Sequence, residues 1–261
     1  MKLIKFKLTV FFSMCILSNI AFVKAESVPL ESFFQHAKYN NIKISPDGKH
    51  YAFTINQDGV STIVVMDRKT KKVHGYKYAT NHRIFNFHWA NNNRILTEVR
   101  KVVGFLDTKG GRANLHALNI DGKKRKKLFN PQFSGYNILN LLPKEPDFIL
   151  VGIRHFADGG GIKVHRMNVN SGKLDFTGDN PAQKILGVLV NEQGSMRLAL
   201  NYEEKASDKV GEGKLSIYYK KSNSDDWLNF YLKGAKKGAN IQPVAISSDD
   251  KYAFILSDFE K

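Results

Sequence analysis

The sequence predicts an all-β protein, an incomplete β-propeller of four-stranded antiparallel blades with about four and a half blades present. The first observation behind this is a hairpin signature at 42–53, in which two short apolar runs flank the turn Ser45-Pro46-Asp47-Gly48. Proline presets φ at the first turn position, aspartate bonds its own backbone, and glycine accepts a positive φ. The second observation is that related hairpins recur, 45 to 56 residues apart, with anchors at Ile44, Trp89, Leu142, Val190 and Ile246. A degenerate repeat of this length, built from hairpins, is typical of propeller blades.

Each repeat holds four strand-like segments separated by turn residues. Runs such as Ile63-Val64-Val65-Met66 indicate strands that are buried on both faces between stacked blades. The fifth repeat opens with a strand at 244–247 and begins a second strand at Tyr252. The strands predicted for the first four blades are 41–44, 51–56, 62–67 and 73–78; 84–90, 94–107, 114–120 and 128–129; 136–142, 148–156, 163–169 and 174–176; and 185–190, 196–203, 215–220 and 227–232.

Residues 1–25 are predicted to be a cleaved secretory signal peptide. Three lysines open the chain, a nearly apolar run follows at 8–22, and Val23-Lys24-Ala25 supplies small residues for cleavage after Ala25. The alternative, an uncleaved anchor, is disfavoured because the run of about 15 residues is shorter than the about 20 that span a bilayer. We therefore expect a periplasmic or secreted protein with no stable membrane span, a leader with a short helix at 26–40, and a partial propeller domain at 41–261.

The charge of the chain is strongly positive. Loss of the four lysines of the signal peptide lowers the formal net charge from +16 to +12, and loss of Cys15 leaves no cysteine for disulfides or thiol chemistry. The densest basic run, Lys123–Lys127, follows an Asp-Gly pair and is interpreted as a solvated hairpin tip, with an anion site as the alternative. Because exported proteins rarely meet nucleic acid, we expect no nucleic-acid partner.

The sequence offers no catalytic motif. A Gly-x-Ser-x-Gly nucleophile elbow is absent, and no cofactor motif is found. His82 with His88, or His155 with His165, could ligate a metal, but strand or turn roles are favoured and no metal site is predicted. The strongest constellation is Tyr202-Glu203-Glu204, where two glutamates beside a tyrosine could hold the ammonium group of a peptide. The competing interpretation, an ordinary strand end leading into a loop at 205–213, is favoured.

Two stretches together resemble a known family. The segment Val28-Pro29-Leu30-Glu31-Ser32-Phe33-Phe34, followed by the hairpin at 42–53, is similar to the start of exported bacterial serine peptidases of the prolyl oligopeptidase family, which includes dipeptidyl- and acylaminoacyl-peptidases. The resemblance implies a propeller that leads into a C-terminal α/β-hydrolase domain carrying the catalytic serine, aspartate and histidine. We expect that domain to be absent from this sequence, so no catalytic residue is carried over. The triplet Tyr202-Glu203-Glu204 resembles the amine-binding glutamates of the dipeptidyl-peptidase branch.

The sequence therefore predicts the substrate-gating propeller portion of such a peptidase, truncated before its hydrolase domain and without activity of its own. Its expected partners are peptides, through the propeller cavity of the intact form, and the missing hydrolase domain. The alternative is a non-enzymatic periplasmic propeller that binds a protein or ligand, of the Tol-system type. A weaker alternative is a propeller enzyme acting on sugars or lactones through an axial metal. That would need carboxylates, asparagines or histidines on the inner strands, and 42–44, 136–142 and 185–190 show no such set.

Overall fold

The computed structural model describes residues 39–57, 59–102, 112–157, 159–204, 213–222, 224–230 and 241–257, with the side chains of 202–204, 213 and 214 excepted. All regular structure in these ranges is β-strand. The strands are β1 Tyr39–Ile44, β2 His50–Gln57, β3 Val60–Asp67 and β4 Val73–Lys77; β5 His82–Asn91, β6 Arg94–Lys101, β7 Asn114–Asn119 and β8 Lys126–Phe129; β9 Ser134–Asn140, β10 Phe148–His155, β11 Ile162–Asn168 and β12 Leu174–Phe176; β13 Ile185–Val190, β14 Met196–Glu204, β15 Gly213–Lys220 and β16 Trp227–Phe230; and β17 Ile241–Ile246 with β18 Ala253–Ser257.

The strands form four antiparallel sheets of four and one sheet of two within the described ranges. In each sheet the strands follow one another in chain order, so every blade is a simple meander. This confirms the predicted fold class, an all-β incomplete propeller of four-stranded blades plus a fifth hairpin. We number the blades 1 to 5 along the chain.

The hairpin signature folds as its residues predict. Gly48 N–H donates to the Ser45 carbonyl at 2.9 Å, and Gly48 has a φ of +71°, which only glycine adopts without strain. The Ser45 hydroxyl donates to Asp47 Oδ1 at 2.7 Å and accepts from His50 N–H at 3.0 Å. Blade 5 repeats this pattern: Ser247 donates to Asp249 at 2.6 Å and accepts from Tyr252 N–H at 2.9 Å. The two turns are therefore equivalent in structure.

Asparagine side chains join the recurring turns of adjacent blades. Asn92 accepts from Asp47 N–H at 3.0 Å, and Asn91 donates to the Pro146 carbonyl at 2.7 Å. Asn140 then donates to the Asn191 carbonyl at 2.9 Å, and Asn191 donates to Asp250 at 3.2 Å. We call this series of bonds the turn relay. It connects each of the five turns only to the next one along the chain.

The hydrophobic core lies between blades. Trp89, one of the hairpin anchors, is 6% exposed in the cluster that joins blade 1 to blade 2. Val64 in the middle of β3 is as buried as its neighbours Ile63 and Val65, which confirms a strand covered on both faces. Further clusters join the next blades, and their buried members include Leu96, Leu115, Ile149 and Val151 for blades 2 and 3; Val164, Ile185 and Met196 for blades 3 and 4; and Leu198, Leu200 and Ile217 for blade 4 against the fifth hairpin.

Strand ends differ from the sequence prediction at a few places. β1 begins at Tyr39, two residues before the predicted start of the propeller. β9 ends at Asn140 rather than 142, because Asn140 accepts the Leu142 N–H at 2.7 Å and Leu142 adopts a φ of +46°. β6 ends at Lys101, and the rest of its predicted range from 103 to 107 lies outside the described residues.

The predicted signal peptide at 1–25 lies outside the described residues, as does the predicted leader helix before residue 39. Among the residues that are described, no helix has the length and apolar character needed to cross a membrane.

Candidate functional site

A polar cleft of about 410 Å³ lies between blades 2 and 3. We call it the blade 2–3 cleft. Strands β6, β9, β10 and β11 supply most of its walls, and the segments before β7, before β9 and after β10 supply the rest. Its described lining residues are Glu98, Arg100, Arg112, Ala113, Pro131, Gly135, Tyr136, Asn137, Gly152, Arg154, Phe156 and Ile162. Three arginines and one glutamate give the lining a net positive charge.

Glu98 is held by partners from two blades. It lies opposite Asn86 in the β5–β6 ladder, and strand alternation places His88 on the same face as Asn86. His88 Nε2 is 3.2 Å from Glu98 Oε1 and 3.0 Å from Asn86 Nδ2. From blade 3, the Tyr136 hydroxyl donates to Glu98 Oε2 over a long 3.5 Å. The carboxylate therefore bridges the two blades.

Blade 1 reaches the same network through Lys43. Its Nζ donates to Asn86 Oδ1 at 3.0 Å and to the Phe87 carbonyl, and it lies 5.0 Å from the centre of the Phe87 ring. Because Asn86 Oδ1 also accepts the Phe87 N–H at 2.9 Å, the amide is oriented with its Nδ2 toward His88. Lys43, His88 and Tyr136 thus bring three blades to one carboxylate through their first strands.

The Nε2 atom of His88 can make either of two hydrogen bonds. With a proton it donates to Glu98, and without one it accepts from Asn86. The hydrogen bond from His88 holds the pKa of Glu98 below its usual value, against the opposing effect of burial. Burial lowers the pKa of Lys43, and the negative charge of Glu98 partly offsets this. Burial, reinforced by Glu98, raises the pKa of Tyr136. Glu98 is therefore ionised and Tyr136 neutral at physiological pH.

The arginines of the cleft are positioned by rings and carbonyls rather than by carboxylates. The guanidinium of Arg100 lies 4.4 Å from the centre of the Phe85 ring, and that of Arg112 lies 4.0 Å from the centre of the Phe156 ring. Arg112 also donates to the Ser134 carbonyl, and Arg154 Nη2 donates to the Leu186 carbonyl at 2.8 Å. These contacts fix the side chains and leave their positive charges without an anionic partner among the described residues.

A second polar hollow of about 650 Å³ lies between blade 4 and the fifth hairpin. The two cationic side chains in its described lining, Arg197 and Lys220, already have anionic partners. Arg197 Nε is 3.0 Å from Asp250 Oδ1, and Lys220 Nζ is 2.5 Å from Asp179 Oδ2. Because these charges are paired within the protein, the blade 2–3 cleft is the better candidate for binding a charged ligand.

The predicted triplet Tyr202-Glu203-Glu204 forms the end of β14, where its backbone pairs with residues 213–215 of β15. Its side chains and the loop at 205–212 lie outside the described residues. The amine-binding role therefore stays a prediction.

The other sequence candidates are placed as follows. Lys123–Lys127 are exposed, with Lys126 and Lys127 opening β8. His82 Nδ1 contacts the Thr80 carbonyl at 3.2 Å, and His165 Nδ1 contacts the Lys163 carbonyl at 3.0 Å. Within the described part of the chain, no group of three or more histidine, cysteine or acidic side chains is arranged to hold a metal ion.

Sequence reasoning missed Glu98 and the cleft arginines, and it considered His88 only as a possible metal ligand. The sequence analysis considered polar residues on the first strands of blades 1, 3 and 4. It left out the first strand of blade 2, β5, which carries Asn86 and His88. A usable signal was the glutamate between Thr97 and Val99 in β6, since a charged residue between buried neighbours needs a partner.

No family profile and no curated protein matches this sequence. Several solved structures are similar to this chain in fold. The β-propeller domain of the trilobed protease from Pyrococcus furiosus is 18% identical with a TM-score of 0.44, covering 86% of this chain and 64% of that one. Pyrococcus horikoshii acylaminoacyl peptidase is 18% identical with a TM-score of 0.41, covering 70% and 31%. TolB from Acinetobacter baumannii is 9% identical with a TM-score of 0.40, covering 84% and 54%.

This chain spans less than two thirds of the length of each of these three structures. At these identities and TM-scores, no functional conclusion about the chain rests on the matches.

Proposed function

We propose that this chain is the substrate-contacting propeller portion of an exported serine peptidase similar to the prolyl oligopeptidase family, and that it does not hydrolyse peptides by itself. The observation that carries the proposal is the blade 2–3 cleft, where fixed charged groups from adjacent blades line a hollow of about 410 Å³. A polar hollow of this kind suits the charged and hydrogen-bonding groups of a peptide. The resemblance of 28–34 and 42–53 to that family supports the same function.

In this proposal the propeller admits and orients peptides, and a hydrolase domain supplies the attack on the carbonyl carbon. Tyr136 is the one hydroxyl in the described cleft lining, and its raised pKa makes it a hydrogen-bond donor rather than a nucleophile. The basic start, apolar run and Val23-Lys24-Ala25 of the N-terminus support export.

The test of the proposal combines an activity assay with a labelling experiment. The purified chain is expected to release no nitroaniline from aminoacyl- or dipeptidyl-nitroanilides above a buffer control. Turnover that survives a second purification step and is blocked by a serine-directed inhibitor would contradict the proposal. A peptide that carries a photoreactive benzophenone is expected to label segments 98–101 and 134–137, and labelling confined to other segments would also contradict it.

The competing function is a non-enzymatic binding propeller. The genomic sequence beyond the Lys261 codon separates the two. An α/β pattern with Gly-x-Ser-x-Gly there supports the peptidase, whereas further hairpin repeats followed by a stop support the binding module.

A further inference from the structure

We propose that the blade 2–3 cleft binds a carboxylate group of its peptide ligand through Arg100, Arg112 and Arg154. The identification of the ligand as a peptide rests on the proposed function, whereas the preference for a carboxylate rests on the cleft itself. The shared chemistry is a carboxylate, which a free C-terminus or an acidic side chain can supply.

The first support is the state of Arg100. Its Nε is buried and has no hydrogen-bond partner, and no carboxylate is paired with its guanidinium in the described part of the chain. Buried polar atoms are normally hydrogen-bonded, and an unsatisfied donor on a charged group is costly. Its cross-strand neighbour in the β5–β6 ladder is Arg83, so a like charge lies directly opposite. A bound anion would reduce the repulsion between these two charges.

The second support is the fixed placement of the other two arginines. Arg112 stacks on Phe156 at 4.0 Å and is anchored to a carbonyl, and Arg154 is anchored to the Leu186 carbonyl at 2.8 Å. Guanidinium groups held in this way lose little conformational entropy on binding, and their planar donors match the two oxygens of a carboxylate.

The third support is the state of the one carboxylate in the described lining. Glu98 accepts hydrogen bonds from His88 and Tyr136 and does not pair with a cleft arginine in any described contact. Its charge is thus stabilised from the blade 1 and blade 2 side and by Tyr136, and no described carboxylate compensates the positive charge of the three guanidinium groups. The cleft is therefore selective for an anionic ligand group.

The experiment measures binding of dye-labelled hexapeptides to the full chain by fluorescence anisotropy at low salt. One peptide ends in a free carboxylate, the second is its C-terminal amide, and the third is the amide with one internal glutamate. The proposal predicts that at least one of the two carboxylate peptides binds about tenfold or more tightly than the amide, since a charge-assisted bidentate bond contributes several-fold in affinity. Which of the two binds tightly identifies the source of the carboxylate.

Two variants and a matched control complete the test. Arg100→Met and the exposed Arg112→Met are each expected to reduce the carboxylate preference at least threefold. Arg68→Met is expected to leave it unchanged, because Arg68 also packs on a ring, that of Tyr51 at 5.2 Å, and bonds to a carbonyl, yet lies outside the cleft. Equal binding of all three peptides to the unmodified chain would overturn the inference and leave the proposed function standing. No binding of any peptide would overturn both.

Discussion

Arg197 Nε lies 3.0 Å from Asp250 Oδ1, and this ion pair joins β14 to the turn between β17 and β18. Both side chains are largely removed from solvent, with 4% and 18% of their area exposed. Asp250 also accepts from the Asn191 amide and from the Ser222 hydroxyl at 2.9 Å. One aspartate therefore neutralises a buried arginine and closes the turn relay between blade 4 and blade 5.

Replacing Asp250 by asparagine is expected to lower the free energy of unfolding by about 3 kcal/mol, because the guanidinium of Arg197 stays buried without its counter-charge. Asparagine keeps the shape of the side chain and tolerates the φ of +60° at this position. The measurement is urea denaturation followed by circular dichroism.

The matched control is Asp175→Asn. Asp175 pairs with Lys173 at 3.1 Å, but 49% and 75% of the two side chains are exposed. Exposed pairs contribute about 0.2 to 1 kcal/mol, so the midpoint of this variant should change little. Equal losses in the two variants would show that burial of Arg197 is not what gives the Asp250 pair its importance.

Gly194→Ala is expected to be more destabilising than Gly178→Ala. Both glycines have positive φ values, +83° and +73°, so either alanine costs about 1 kcal/mol of backbone strain. At Gly194 a Cβ would also clash with the Leu142 side chain, whereas at Gly178 it would meet nothing within 4 Å.

The additional overpacking at Gly194 is expected to cost about 1 to 3 kcal/mol. Thermal unfolding of both variants gives the difference. If Gly178→Ala melts at the same temperature as Gly194→Ala, the contact between the turn at 191–195 and Leu142 does not constrain the fold.

His116 is expected to make the protein less stable as the pH falls. Burial, aided by the charge of Lys127, lowers the pKa of His116 to about 4, below the about 6.5 of an unfolded chain. The folded state therefore favours the neutral imidazole. The contribution of His116 to the stability of the folded state is complete above about pH 6.5. It is lost progressively as the pH falls toward 4.

His116→Phe removes the titration and keeps a ring to pack edge-on against Tyr78, now 5.7 Å away between ring centres. Between pH 6.5 and 4 the urea midpoint of this variant should fall less steeply than that of the unmodified protein. His74→Phe, at an exposed position on β4, is the control and should retain the steeper slope. Parallel curves for the unmodified protein and His116→Phe would assign the acid sensitivity to other groups.

Arg94→Met is expected to weaken the contact between blades 2 and 3. Arg94 is 3% exposed, and its Nε donates to the Val169 carbonyl at 2.8 Å while Nη1 donates to Asn119 at 2.7 Å. Methionine preserves most of the packing of the stem but leaves these acceptors unsatisfied, at a cost of about 2 kcal/mol. Arg125→Met, which removes an exposed guanidinium over Tyr76, should cost less than about 1 kcal/mol in the same urea titration.

The blades could be predicted from sequence because the turns that separate their strands are determined by a few consecutive residues. Ser45-Pro46-Asp47-Gly48 encodes its turn in four consecutive residues, and the turn at 247–250 repeats the bonding with Asp250 at the position of Gly48. Long buried strands such as β3 are equally visible, because an unbroken apolar run is a property of one segment.

The cleft could not be predicted in the same way, because its parts are far apart in the chain and meet only when the blades stack. Lys43, Glu98 and Tyr136 come from three blades. Register shifts in β5 between Ile84 and Asn86, and again between Trp89 and Asn91, also change which residues share a face. Simple alternation still places Asn86 and His88 on one face, but it does not extend across the two shifts to the rest of β5.

The turn relay determines how far the destabilisation of one blade spreads through the protein. Each asparagine bond, and each hydrophobic cluster, joins one blade only to the next. Stability in such an arrangement is a sum of nearest-neighbour couplings, as in a linear chain of interacting units. A destabilising substitution in one blade therefore lowers the stability of the adjacent blades most and that of more distant blades only weakly. We expect blade 1 to keep its protection against hydrogen exchange while blade 4 opens.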